Sequence, residues 1–447
     1  MLQLSTILAG LATVLLTLTM PLSIPLGTSG KSLSVGEDGQ SITLGGKTIN
    51  LHQAMNSDVA CAPMQAGPGT KKKGGGKGKG RGAAISTNAK TIYFITNAAE
   101  NSIVALKVAM DGSLSEGSVT PTGGAGMTGV DDKGDPAIPD SLFSQGAVKV
   151  SGNHIVSVNP GSKTISMFAI SATDSTVLTM VGKPADTLGE FPVSVGLSAS
   201  LSQACVANSG AKVGVTCFTM CPIVGLMPLD TCRRPFELNQ TTPPVGPLNT
   251  VSQVFFNADS TKLMTTVKGD PTKNNTCFLS VFPVENKLVS TKETRSSPDG
   301  TAVLFGAALL PNSNEIFVTD ASFGAATLSL SDTNTASTLK STKILDQKAT
   351  CWAAFSELTA PPNYLVEIDP TSGDIVKDFE LTNGNSGLID LVSAGRFIYA
   401  LSPGNTTVGS AAAVTVFDVS GGRGSAKEVQ NFKLAGVTGS AMGMASV

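Results

Sequence analysis

The sequence predicts an all-β fold, a seven-bladed β-propeller, and three observations carry that prediction. From residue 83 onward, strand-like runs of five to eight residues alternate with Gly, Asn, Asp, Ser and Pro turns, and no stretch shows helical periodicity. One unit then recurs: a β run, a short turn opening on Asn or Asp, and a second alternating run. The second run begins near Ile103, Ile165, Val213, Phe278, Leu328, Leu365 and Val414, at spacings of 62, 48, 65, 50, 37 and 49 residues. Periods near 40–50 residues with four strands each are those of propeller blades. Composition agrees, because 48 glycines and only 14% charged residues suit short strands joined by many tight turns.

Ahead of the repeat, residues 2–20 are an uncharged apolar run, broken by Pro21, Pro25, Gly27 and Gly30. This reads as a secretory signal peptide within residues 1–30, with an uncleaved anchor as the alternative, since such a run just spans a bilayer. Residues 31–82 form an N-terminal segment whose strand-like content is SITLGGKTINL at 41–51. It ends in the basic, Gly-rich run at 69–82, which carries Lys71, Lys72, Lys73, Lys77, Lys79 and Arg81. That composition cannot pack and reads as a flexible linker, either a solvated spacer or a tether to a polyanion. The propeller then occupies 83–447.

Copies of the unit include YFITN-AAEN-SIVALKV (93–108), IVSVN-PGSK-TISMFAI (155–170) and CVAN-SGAK-VGVTCF (205–218). Asn97, Asn159, Asn208 and Asp320 share one position in it, which points to a turn role, because Asn and Asp tolerate left-handed backbone and bond their own main chain. Inner strands, rich in Gly, Ala, Ser and Val, are expected at 146–150, 191–200, 252–258, 302–310, 349–355 and 387–394. The C-terminal AMGMASV (441–447) echoes PVSVGLSAS, so the last strand is expected to close the ring on the first blade and remove its open edge. The sixth blade is incomplete. ATCWAAFSE runs through LTAPP straight into NYLVEID, its spacing is the shortest, and distortion or disorder is expected at 356–363.

Seven cysteines suit an oxidising compartment. Cys205 and Cys217 lie symmetrically on one hairpin, and Cys221 with Cys232 would close a Pro-rich loop. Asn239, Asn274 and Asn405 each precede a threonine two residues on, as glycosylation acceptors do. With two histidines, His52 and His154, and no paired CxxC motifs, no metal is expected. His154 reads as a structural residue opening a strand. The acidic run Asp131, Asp132, Asp135 and Asp140 reads as a solvated loop. Nucleophile elbows, P-loops and dinucleotide fingerprints are absent, so no cofactor is expected. A net charge of −2 gives no reason to expect nucleic acid.

The segments VNPGSKTISMF, GEFPVSVGLSAS, CVANSGAKVGV and IYALSPGN resemble the fungal 3-carboxymuconate cyclase-like proteins, within the wider seven-bladed lactonase family that includes bacterial 6-phosphogluconolactonase. The resemblance spans roughly 83–447. It implies an extracellular surface glycoprotein that binds or adheres without efficient catalysis or, as the alternative, an enzyme that interconverts a carboxylated muconate and its lactone. Such chemistry needs cations to hold carboxylates and a group to move a proton. The candidates in mouth loops are Glu190, Lys268 and Arg295 as catalytic residues, with Arg234 and Asp270 binding substrate. Secretion, a monomeric state, no membrane once the leader is removed, and a partner that is a small carboxylated molecule or a cell-wall or host-surface ligand complete the expectations.

Overall fold

The computed structural model describes residues 89–447, apart from 312, 346, 348, 356–364, 380, 386, 406 and 407, and four strands nearer the N-terminus. Those four, Ser23–Leu26, Lys31–Val35, Ser41–Leu44 and Lys47–Asn50, form one antiparallel meander. The strand-like stretch at 41–51 is therefore a hairpin. Its two neighbours went unread, and Ser23–Leu26 falls inside the segment assigned to the leader. The rest of 1–30 and the linker at 69–82 lie outside the described residues.

The remainder is all-β, with no α-helix among the described residues. Six sheets of four or five strands are the blades of a β-propeller. In chain order they are sheet A (Thr91–Ile95, Ser102–Val108, Leu114–Pro121), B (from Val148–Ser151 to Ala185–Asp186), C (from Pro192–Ser198 to Arg234–Pro235), D (from Val251–Phe256 to Thr294–Ser296), E (from Leu304–Leu309 to Ala336–Lys343) and G (from Ile389–Ala394 to Lys427–Lys433). Between E and G lies sheet F, which among the described residues has two strands, Leu365–Ile368 and Ile375–Phe379. Met442–Ser446 pairs antiparallel with Thr91–Ile95, as the innermost strand of sheet A.

Five of the six expected inner strands appear within two residues of their expected starts. The exception is 349–355, where the chain is extended but unpaired in any named strand. It is nevertheless bound: Gly306 N and Thr319 Oγ1 both donate to Cys351 O, at 2.8 and 2.5 Å. The expected distortion at 356–363 lies outside the described residues.

Second strands read as almost continuous apolar runs because each blade is covered on both faces by its neighbours. His154–Asn159, Gln203–Asn208 and Phe397–Ser402 are buried at every position. Each fully buried Ile, Val or Phe contributes roughly 1.5–3 kcal/mol. Inner strands approach more closely, and a Cβ on Gly196 would sit 3.0 Å from Phe255 Cα. His154 opens its strand, is buried, and burial lowers its pKa.

In an antiparallel meander, the turns between second and third strands share one end with the loops joining each blade to the next. That end is here called the upper face. Asn97, Asn159, Asn208 and Asp320 sit there and clamp turn to loop. Asn97 Nδ2 donates to Met127 O at 2.9 Å, Asn208 Oδ1 accepts from Thr187 Oγ1 at 2.8 Å, and Asp320 accepts from Ala302 N at 2.8 Å. Only Asn97 among them has a positive φ, 48°, so the repeated position serves side-chain bonding more than left-handed backbone. Lys90 N and Val447 O, 2.6 Å apart, lie at the opposite, lower end.

The B-entry loop, residues 140–146, turns into the centre of the ring. Ser141 Oγ donates to Ser440 O (2.8 Å), Ser144 Oγ to Val193 O (2.9 Å), and Gln145 N to Ser252 O (3.0 Å). Gln145 Nε2 donates to Ala353 O (2.5 Å), Trp352 Nε1 to Ser144 O (3.0 Å), and Gly146 N to Asp390 Oδ2 (3.3 Å). One loop thus ties together inner segments of A, C, D, F and G. It also reaches E, where a Cβ on Gly306 would collide with Gln145 Oε1.

Cys205 and Cys217 face each other across paired strands and form a disulfide. The expected Cys221–Cys232 pairing does not form. Cys221 ends a third strand at the lower end, whereas Cys232 follows the fourth strand at the upper end and is a free, exposed thiol. Cys221 is itself disulfide-bonded.

Candidate anion-binding cleft

The five residues singled out in the sequence do not converge. Lys268, at the end of a second strand of D, is fully buried in the ring centre. Its Nζ donates to Phe143 O and Ser252 Oγ, both at 2.6 Å, and lies 4.3 Å from the Phe305 ring centre. Burial pushes this ammonium well below the usual lysine range. Asp140 lies nearby with its Oδ1 buried and unbonded, and burial raises its carboxyl against the pull of Lys268. Asp390, on the same central loop contacts, is pushed up to about 6 by burial.

Arg234 is buried as well. It forks onto Asp230, with Nη1–Oδ2 at 2.5 Å and Nη2–Oδ1 at 3.0 Å, and donates to Val289 O and Ser290 O. It is a bolt between C and D, with no valence left for a ligand. Arg295 pairs with Glu293 at 2.5 Å and stacks 4.0 Å over Phe278. Asp270 caps the 3-10 turn Pro271–Lys273 through Thr272 N and bonds Lys273 at 3.0 Å. Only Glu190 borders an open site.

That site is a cleft of about 450 Å³ on the upper face, wedged between B and C and lined by Lys163, Asp186, Leu188, Gly189, Lys212, Thr231, Cys232 and Arg233. The repeat itself builds it. Lys163 stands four residues after Asn159, and Lys212 four after Asn208, so adjacent blades present lysines from the same turn position. Lys163 takes a left-handed φ of 59°, and its carbonyl accepts from Thr187 N at 3.0 Å, tying turn to loop. The loop is pressed so close that a Cβ on Gly189 would lie 2.5 Å from Asn208 Nδ2. Glu190 N donates to Lys212 O at 3.2 Å, and Gly210 N to Glu190 O at 2.8 Å.

Arg233 points the other way from Arg234, as successive residues of an extended segment do. Its Nε donates to Val213 O at 2.9 Å, which fixes the guanidinium plane, and no ion pair reaches it among the described residues. Glu190 Oε1 lies 2.8 Å from Lys163 Nζ and 3.8 Å from Lys212 Nζ, while Oε2 accepts from Thr242 Oγ1 at 2.7 Å. Those bonds, led by Lys163, hold its carboxyl below the usual glutamate range. Lys163, Lys212, Asp186 and Arg233 were missed as site residues. The signal for the lysines was their shared place in the repeat. Among the described residues no group of three or more metal-ligating side chains occurs, and Asp131 instead caps its own turn through Lys133 N and Asp135 N. No helix among the described residues is long and apolar enough to cross a membrane.

The three glycosylation sequons all lie in upper-face loops. Asn239 and Asn274 are exposed, and Asn405 is half-buried.

The β-propeller fold is shared with solved proteins. The chain is similar to the periplasmic gluconolactonase of Pseudomonas aeruginosa, at 14% identity and a TM-score of 0.56, over 79% of this chain and 98% of that one. It is similar also to a Bacteroides fragilis protein assigned as a 6-phosphogluconolactonase, at 12% identity and a TM-score of 0.54, over 82% and 100% of the two chains. At these identities the likeness is one of fold. The sequence matches no protein-family profile and no curated protein.

Proposed function

We infer that this chain is an exported, N-glycosylated surface propeller that binds small carboxylates in the upper cleft without efficient turnover. One observation carries the reading: Arg233 is oriented by its own backbone contact, keeps its fork unpaired among the described residues, and is flanked by two lysines. That is the arrangement a planar carboxylate recognises. Against turnover, the groups that would move a proton are committed elsewhere. Lys268 is locked in the ring centre, Asp270 caps a turn, and Glu190 is held ionised by lysines.

The wider reading is a ring of seven blades, with F incomplete and Met442–Ser446 as the clasp, in a protein of the fungal cyclase-like branch that acts as a monomer. The signal-like leader and three sequons support export. An active cyclase or lactonase remains the second reading, favoured by the lactonase-like fold and by a carboxylate, Glu190, at the edge of the cleft.

The deciding experiment uses the purified glycosylated protein. Loss of diene absorbance from 3-carboxy-cis,cis-muconate, or hydrolysis of gluconolactone, would establish an enzyme. Carboxylate binding without turnover, seen by calorimetry and as slowed maleimide labelling of Cys232, supports the platform. Absence of both removes the cleft as a ligand site.

A further inference from the structure

We propose that Glu190 is an internal competitor for the cleft: from within the chain, its carboxylate takes the place that an incoming carboxylate would occupy between Lys163 and Lys212. The proposal rests on the reading of the cleft as an anion site, and it sets which anions that site admits.

The geometry is that of a bound ligand. Two ammonium groups from two different sheets converge on one oxygen, at 2.8 and 3.8 Å, and the other oxygen takes a hydroxyl proton from Thr242 at 2.7 Å. The carboxylate comes from the loop between those sheets, whose main chain is fixed on both sides by Lys212 O and Gly210 N. The lysines are not fixed: their side chains are 46% and 60% exposed, against 13% for Glu190. Ammonium groups on flexible stems can therefore turn to a ligand while the internal carboxylate stays where it is.

Charge then divides the cleft. Lys163, Lys212 and Arg233 face Asp186 and Glu190, which leaves one net positive charge. The two lysine charges are offset by Glu190 and Asp186 together, and the unclaimed cation is Arg233. A ligand with one carboxylate meets the Arg233 fork alone. A ligand with two must share the lysines with Glu190 or displace it, and like charges in one site repel. Glu190 thus makes the cleft selective for singly charged carboxylates.

The test is calorimetric titration of the full chain with acetate and with succinate at constant ionic strength, comparing wild type, Glu190→Gln, Thr242→Val and Arg233→Ala. The expected result is that Glu190→Gln binds succinate at least tenfold more tightly, with acetate changed less than threefold. Thr242→Val, which releases one oxygen of Glu190 but keeps its charge, should give a smaller gain for succinate. If Glu190→Gln melts like wild type and binds succinate no better, while Arg233→Ala abolishes binding, the competitor is refuted and the cleft stands. Should Glu190→Gln fail to fold, unchanged succinate affinity in Thr242→Val refutes it instead. Binding of neither probe by wild type or by Glu190→Gln overturns the cleft itself, and the competitor with it.

Discussion

The ring centre and the cleft at its rim both gather cations in upper-face loops, and they employ them in opposite ways. In the centre, Lys268 is saturated by a carbonyl, a hydroxyl and an aromatic face. In the cleft, Arg233 makes one backbone bond and keeps its fork unpaired among the described residues. Arg233 and Arg234 repeat the contrast one residue apart. A buried cation must be fully satisfied or the fold does not tolerate it, so burial that perturbs a pKa also removes the group from use by a ligand. A perturbed titration marks a site only where solvent and substrate can reach it.

Lys268→Ala should have the largest effect on this comparison. It removes the partner of Phe143 O and Ser252 Oγ and leaves Asp140 without its nearby cation, so a loss of about 3–5 kcal/mol is expected in chemical denaturation. Carboxylate binding at the cleft by whatever fraction remains folded should be unchanged. A destabilisation under 1 kcal/mol would show that the centre is not a keystone.

Next comes pH. Asp390 has a folded pKa raised from 3.8 to about 6. Its contribution is fully present below the unfolded value and is lost as pH rises through 6. Stability should therefore fall by about 2.4 kcal/mol between pH 4 and pH 7 on this account. Asp390→Asn should flatten that slope, and an unaltered slope would move the effect to another group.

Reduction of Cys205–Cys217, whose residues stand 12 apart in sequence, should cost about 2 kcal/mol. The strands it joins are already paired, so the low end of the usual range applies. The smallest stability change belongs to Arg233→Ala, expected within ~0.5 kcal/mol of wild type because it removes a surface group. The same substitution should weaken acetate binding at least tenfold. A large stability loss without a binding loss would make Arg233 a second bolt like Arg234.

Blades were legible because each repeats the same local physics. A fully buried second strand, an Asn or Asp clamp and a short turn recur, and inner strands show their small residues. Sheet F escaped in part, since 349–355 is held by side chains and by the central loop rather than by a ladder. The central loop itself was not legible. SLFSQG bears no repeat signature, and its partners, such as Ser440 and Ala353, are hundreds of residues away in sequence. Site chemistry was legible as residue type but not as direction. The doublet at 233–234 offered two guanidinium groups, and only the strand geometry decides which one faces the cleft. The lysines following Asn159 and Asn208 were visible as part of the turn, and their convergence depends on blade neighbours lying side by side.

The bond between Lys90 and Val447 gives the propeller a handle. Everything upstream of residue 89 joins at the lower end, while the cleft and all three sequons occupy the upper one. The cleft and the three Asn-x-Thr motifs thus share the face opposite the one at which the chain enters the propeller.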